Sequence, residues 1–308
     1  MKRWVWRGLA LALGTGFALA LFLVAQPKTV VELVQQVSGL MLLAAFAVHL
    51  AIVGTRALRL RVLSGNALES SSALLLFTVS QAASALLPWR LGEVTLPPLA
   101  KWTVKSRLSQ GAFWWLAGRF LDLWSLALAV TLLSLSGFLP FPLVYPALLL
   151  LFSLAFAAWV SVRRAYWHAA VRWLPTRRLL RGALRMRQLF SNLGKRPVLL
   201  AQSLALSLAA WGLIVTFTGL LCRGMGVELS LQQLLLSVLG ATLGAAVPIA
   251  GVGNLGPVEA GFASALSLTG VPATQALSLG FALHFWTLAF QLLLGFPAMA
   301  GLVLKARS

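Results

Sequence analysis

The chain alternates long apolar runs with short polar breaks. Residues 8–25, 38–54, 112–136, 143–161, 198–221 and 274–303 are apolar almost from end to end. Each is close to or above the roughly 18 residues that mark a membrane-span candidate. Two further stretches are apolar but interrupted. Residues 71–87 run into Pro88-Trp89-Arg90-Leu91-Gly92-Glu93 and resume towards Lys101. Residues 231–249 break across 248–257 and resume to about 268. Proline and glycine at those breaks stop a helix. Irregular backbone at membrane depth is tolerated only inside protein or beside a watery cavity, so each break predicts a re-entrant hairpin. The pattern predicts an all-α integral membrane protein of about six transmembrane helices plus two re-entrant helical hairpins.

One segment departs from this pattern. Over 177–193, Leu179, Leu180, Ala183, Leu184, Met186, Phe190 and Leu193 share a broad face at helical periodicity. Arg177, Arg178, Arg181 and Arg185 lie opposite, and Arg187 intrudes on the apolar side. A basic amphipathic helix of this kind lies on a membrane surface.

Composition narrows the class further. Of 308 residues, 60% are hydrophobic and 10% charged, against roughly 45–50% and about 25% in soluble domains. That excludes a soluble enzyme and a disordered tail. A membrane β-barrel would show short alternating segments instead of continuous runs. The single cysteine, Cys222, allows no internal disulfide, and no Cys/His cluster has metal-ligand spacing. Neither a metal nor another cofactor is expected.

The charge is lopsided, with 25 Lys+Arg against 6 Asp+Glu and a net charge of +19. In a membrane chain this reads as topology and not as nucleic-acid binding. Six spans and two re-entrant hairpins put both termini in the cytoplasm. They also put 21 of the 25 basic residues on cytoplasmic segments, ten of them in the loop 163–196. Lys28 and Arg223 fall outside, and Arg90 and Arg119 are membrane-embedded. The single polytopic domain then repeats span, span, hairpin, span in halves 1–137 and 138–308, the second inverted, as transporters do. The first run follows Lys2, Arg3 and Arg7, so a retained span and a cleaved signal peptide both fit it.

Three acids sit in apolar sequence at membrane depth: Glu93, Asp122 and Glu259. An Asp at a helix centre costs roughly 2.5–3.5 kcal/mol on insertion scales, so function is the default reading of such residues. Arg119 precedes Asp122 by three residues, on the same helical face. The two form a structural ion pair, or Arg119 reaches Glu93. At the first tip, Arg90 can hold phosphate in a fork and Gly92 gives backbone freedom; alternatively Arg90 and Glu93 neutralise each other. The second tip holds Gly251, Gly253, Asn254, Gly256, Pro257 and Glu259. Its G-x-G-x-x-G has no surrounding βαβ unit, so a dinucleotide site is not indicated. It reads as a glycine-rich break before a helix, with Pro257 and Glu259 in the first turn. Free N–H groups there can cradle phosphate. Glu259 is a proton carrier, a cation ligand, a headgroup contact or a helix cap. His284, in the last run, titrates near neutral pH or is a packing residue.

Two blocks of these residues carry a family resemblance. Leu87-Pro88-Trp89-Arg90-Leu91-Gly92-Glu93, followed by Gly118-Arg119-Phe120-Leu121-Asp122-Leu123, resembles the P-x-R-x-G-E … R-x-x-D pattern in the flippase-like membrane region of lysylphosphatidylglycerol synthases. Residues 248–259, then Gly270-Val271, resemble the family's P-x-x-G-G-x-G-x-x-E … G-V block. Thr95-Leu96-Pro97-Pro98 and Gly251-Val252-Gly253-Asn254 depart from the usual pattern. The resemblance covers roughly residues 40–303 and lacks the family's soluble aminoacyl-transferase domain. It implies the lipid-translocating half: a bacterial inner-membrane translocator, not an enzyme, for anionic or lipid-linked lipids. Arg90 and the turn 251–256 would hold phosphate. Glu93 and Glu259 would meet headgroups or protons, and Arg119 with Asp122 would shape the cavity. A second expectation is a non-catalytic partner of a synthase or glycosyltransferase docked at 163–196. An intramembrane enzyme using Glu93 and Glu259 lacks a nucleophile or metal cluster to support it.

Overall fold

The computed structural model describes residues 14–87, 92–135, 177–247 and 252–307, with Gly137, Leu151 and Leu154 besides. The expected span at 143–161 therefore lies outside the described residues apart from those two leucines, as do residues 1–13 and the tip segments 88–91 and 248–251. Among the described residues there are eleven α-helices: α1 (Gly14–Val24), α2 (Pro27–Gln36), α3 (Gly39–Leu63), α4 (Ser70–Leu86), α5 (Leu96–Thr103), α6 (Leu108–Leu135), α7 (Arg177–Gly194), α8 (Pro197–Gly224), α9 (Leu231–Ala245), α10 (Pro257–Ser267) and α11 (Ala273–Arg307). Short 3-10 turns at Glu93–Thr95 and Val252–Asn254 precede α5 and α10.

The sequence places the boundaries. Prolines open α2, α8 and α10, where a missing N–H costs nothing. Ser230 and Gln233 cap α9 reciprocally: the Gln233 N–H donates to Ser230 Oγ at 3.2 Å, and the Ser230 N–H donates to Gln233 Oε1 at 2.9 Å. Four helices, α3, α6, α8 and α11, are long and apolar enough to cross a membrane. A fifth span exists if α1 and α2, bent by 77° at Ala25–Gln26, count as one. Leu40, Leu43, Leu132, Leu135, Val198 and Leu293 stand exposed on these long helices, as lipid-facing side chains do. The helix α3 runs on through Arg56, Arg59 and Arg61 instead of ending before them. Only two helices of each interrupted stretch, α4 with α5 and α9 with α10, are short.

The chain forms two compact units. The first comprises 1–52, 78–93 and 212–300. Its core joins Ala25 and Val30 to Ile52, Phe217, Leu221, Phe262, Leu266, Ala282 and Phe290. Within it, α9 and α10 pack antiparallel at backbone distance. A Cβ on Gly240 would stand 2.2 Å from the Gly261 carbonyl oxygen, and one on Gly244 would stand 2.0 Å from that of Pro257. Small residues let helices approach this closely.

The second unit comprises 53–77, 94–211 and 301–308. In it α5 rests on the start of α6, where a Cβ on Gly111 would lie 2.7 Å from Pro97 Cα. The amphipathic α7 docks on α6 through Phe190, whose ring meets Phe113 edge-on at 5.0 Å. Arg181, Arg185, Gln188 and Asn192 form the exposed stripe of α7, while Leu184, Met186, Phe190 and Leu193 are half-buried.

Candidate functional site

In the first unit the site is built around Glu259, which is 0% exposed. Three left-handed residues lead to it: Gly253 (φ +67°), Asn254 (φ +64°) and Gly256 (φ +102°). Only glycine adopts the Gly256 conformation without strain. Pro257 then starts α10 and carries Glu259 into the first turn. The Gly256 N–H donates to Glu259 Oε2 at 2.7 Å, so the carboxylate caps its own helix. Its other oxygen, Oε1, shares a hydrogen bond with Nδ1 of His284 on α11. Gly280, one turn before His284, faces the start of α10, where a Cβ would stand 3.3 Å from Phe262 Cδ1 and in ordinary contact with Glu259 Cα at 3.5 Å. The cap reading of Glu259 is thus correct, yet it accounts for only one of the two oxygens.

Asn254 Oδ1 is buried with no hydrogen-bond partner among the described residues. Buried polar atoms are rarely left so. A Cβ on Gly253 would lie 3.1 Å from the Ala85 carbonyl oxygen at the end of α4. The ends of the two interrupted stretches therefore meet within this unit.

At the first tip, Gly92 is not in the left-handed region. The expected backbone freedom is not what it supplies. A Cβ there would stand 2.0 Å from the Ser84 nitrogen, so Gly92 serves close packing onto α4. Ser80 Oγ donates to the Gly92 carbonyl at 3.4 Å. Glu93 lies in the 3-10 turn that follows. Arg90, Gly251 and the Glu93 side chain lie outside the described residues.

The second unit holds Asp122, which is 7% exposed. Its main partner is not Arg119 but Arg59. The Arg59 guanidinium forks onto it, Nη1 towards Oδ1 and Nη2 to Oδ2 at 3.2 Å. Arg59 Nη1 also donates to Ser207 Oγ at 2.6 Å. Gly118 leaves room for the guanidinium, since a Cβ there would be 3.2 Å from Nη2. Trp211 Nε1 donates to the Asp122 carbonyl at 3.2 Å. Arg119 stands 3.8 Å from Oδ2 with a side chain 36% exposed. It shares a helix with Asp122, so it cannot face the carboxylate squarely as Arg59 does from α3. Forked pairing of this kind is strong and directional. Arg59, Ser207 and Trp211 were not foreseeable as site residues. Arg59 in particular hides in a run of arginines that looks like an ordinary cytoplasmic flank.

Residues 5–295 match the lysylphosphatidylglycerol synthase TM region. The chain belongs to that family. It is a multi-pass integral membrane protein. No curated protein and no solved structure matches it.

Proposed function

We propose that this member of the lysylphosphatidylglycerol synthase TM-region family translocates lipids or lipid-linked glycans across the bacterial inner membrane. In this reading the chain has six transmembrane helices and two re-entrant hairpins. The hairpin legs are α4 with α5 and α9 with α10, of 17, 8, 15 and 11 residues. At about 1.5 Å per residue, each is shorter than the roughly 30 Å hydrocarbon core. The headgroup passes a polar path at the hairpin tips while the tails stay in lipid. Arg90 and the turn 251–256, apart from the Gly256 N–H that Glu259 already takes, hold phosphate, and Glu93 and Glu259 meet the rest of the headgroup. The cycle includes no chemical step.

The observation that carries the reading is a fully buried carboxylate at a helix break, in a turn where Asn254 Oδ1 is buried with no hydrogen-bond partner among the described residues. A polar group kept at membrane depth usually marks a pathway, and broken helices meeting head-on are how transporters build one. The test is translocation in proteoliposomes, using labelled anionic, zwitterionic and isoprenoid-linked lipids. Wild type moves at least one class, and Glu259→Gln reduces its rate at least tenfold while the protein stays folded. Equal rates in the two proteins would remove Glu259 from the path.

The exposed Arg181–Arg185–Gln188–Asn192 stripe of α7 favours a second reading, a docking surface for a synthase or glycosyltransferase. Deleting 177–193 separates the two. Lost capture of that enzyme with lipid movement intact supports docking.

A further inference from the structure

We infer that Glu259 and His284 together bind one proton, and that its arrival and departure drive the second tip. The coupling, though not the proton site, rests on the translocator reading.

The two side chains are hydrogen-bonded, 0% and 9% exposed, and come from different helices. Glu259 Oε1 and His284 Nδ1 have one proton between them in every stable arrangement. With a neutral imidazole donating to a carboxylate, the pair carries a net charge of −1. One more proton makes it neutral, either as carboxylic acid with imidazole or as carboxylate with imidazolium. A buried net charge is costlier than a neutral hydrogen-bonded pair, so one proton more or less changes the charge that the site must bury.

The helices around the tip, α1, α4 and α9, contain no charged or titratable side chain. On the other helices of this unit the charged or titratable groups are Lys28 and Glu32 on α2, His49 on α3, and Cys222 and Arg223 on α8. His49 lies among Phe217 and Phe290, and Cys222 and Arg223 sit at the end of α8. At the first tip, Arg90 and the Glu93 side chain lie outside the described residues.

The pair is wired to the tip directly. Glu259 Oε2 accepts the Gly256 N–H, and Gly256 and Gly253 hold the left-handed turn. The added proton weakens that cap in either arrangement, because a carboxylic acid, or a carboxylate shared with an imidazolium, is a poorer acceptor than a carboxylate beside a neutral imidazole. The turn then loses a restraint at the point where it meets α4. Proton number on the pair thus biases the tip, as a ligand biases two conformations by its differential affinity.

The test uses the full chain in vesicles of phosphatidylethanolamine and phosphatidylglycerol. Infrared difference spectra are recorded between acid and alkaline buffer. Wild type shows a carboxylic-acid or imidazolium band that is absent in Glu259→Gln and altered in His284→Gln. Identical difference spectra in wild type and Glu259→Gln overturn the proton site. If neither variant folds, Glu259→Asp keeps an acid with a shorter reach and shifts the midpoint; an unchanged midpoint overturns it equally. Labelled phosphatidylglycerol is then followed across the same vesicles with a gradient of one pH unit. One proton per lipid changes its steady-state distribution by up to about tenfold, and the gradient has no effect in Glu259→Gln. Lipid movement indifferent to the gradient overturns the coupling and leaves the translocator reading standing. Normal proton bands with no movement of any lipid overturn the translocator reading and the coupling together, leaving only the proton site.

Discussion

Arg59→Ala strands the Asp122 carboxylate in the second unit without its forked partner. Removing one side of a buried pair costs about 3–5 kcal/mol, whereas removing both costs much less. Thermal unfolding in detergent should therefore show Arg59→Ala as strongly destabilised. The Arg59→Ala/Asp122→Ala double variant should lie closer to wild type than either single one. Additive losses would contradict the pair. Arg119→Ala, at 3.8 Å and 36% exposed, should cost under about 1 kcal/mol, as partly exposed ion pairs do. At this scale the sequence showed which acids are out of place, because charge in an apolar run is visible without coordinates. It did not show their partners. Arg59 and Asp122 are 63 positions apart, and Glu259 and His284 are 25 apart. Helical spacing links only neighbours three or four apart, which is why Arg119 stood out and Arg59 did not.

The element that positions Glu259 is the α9–α10 pair, held by glycines at backbone contact. Gly244→Val or Gly261→Val forces the two helices apart. Overpacking of a tight contact costs about 1–3 kcal/mol, and here it moves α10 and Glu259 with it. Both variants should lose thermal stability in detergent and weaken the Glu259–His284 contact; full stability would mean that the helices do not touch. The signal was present in the sequence as Gly240-Ala-Thr-Leu-Gly244, a small-residue repeat at helical spacing, and Gly261 is its counterpart on α10. What could not be read is that these two segments face each other. The breaks, by contrast, were legible, because proline and glycine interrupt a helix whatever surrounds it.

A second element-scale link ties the end of α11 to the start of α4. Lys305 Nζ donates to Glu69 and, at 2.9 Å, to Ser71 Oγ. That hydrogen bond and the ammonium charge hold the Glu69 carboxyl below its ordinary value. The group is lower when folded than when unfolded, so its contribution is complete above roughly pH 4. It disappears as pH falls through the folded value. Hydrogen exchange at 301–307, corrected for intrinsic rates, should quicken on acidification in wild type. In Glu69→Gln it should already be quick at neutral pH. Equal exchange in both proteins across the range would discount the link.

For the whole molecule, the charge distribution predicts an orientation with both termini in the cytoplasm. In a Cys222→Ala background, a cysteine at Gln188 should be labelled from the cytoplasmic side and one at Glu228 from outside. Labelling of both from one side would break the six-span arrangement. The proposed path makes a sharper demand, that headgroups visit the hairpin tips and tails do not. Photoreactive phospholipids carrying the label on the headgroup or on the tail would be cross-linked to the reconstituted chain and the adducts mapped by mass spectrometry. Headgroup adducts concentrated at 80–95 and 252–262, with tail adducts on the exposed faces of α3, α6, α8 and α11, are the predicted result. Headgroup adducts confined to the surface loops, with the two tips unlabelled, would contradict it.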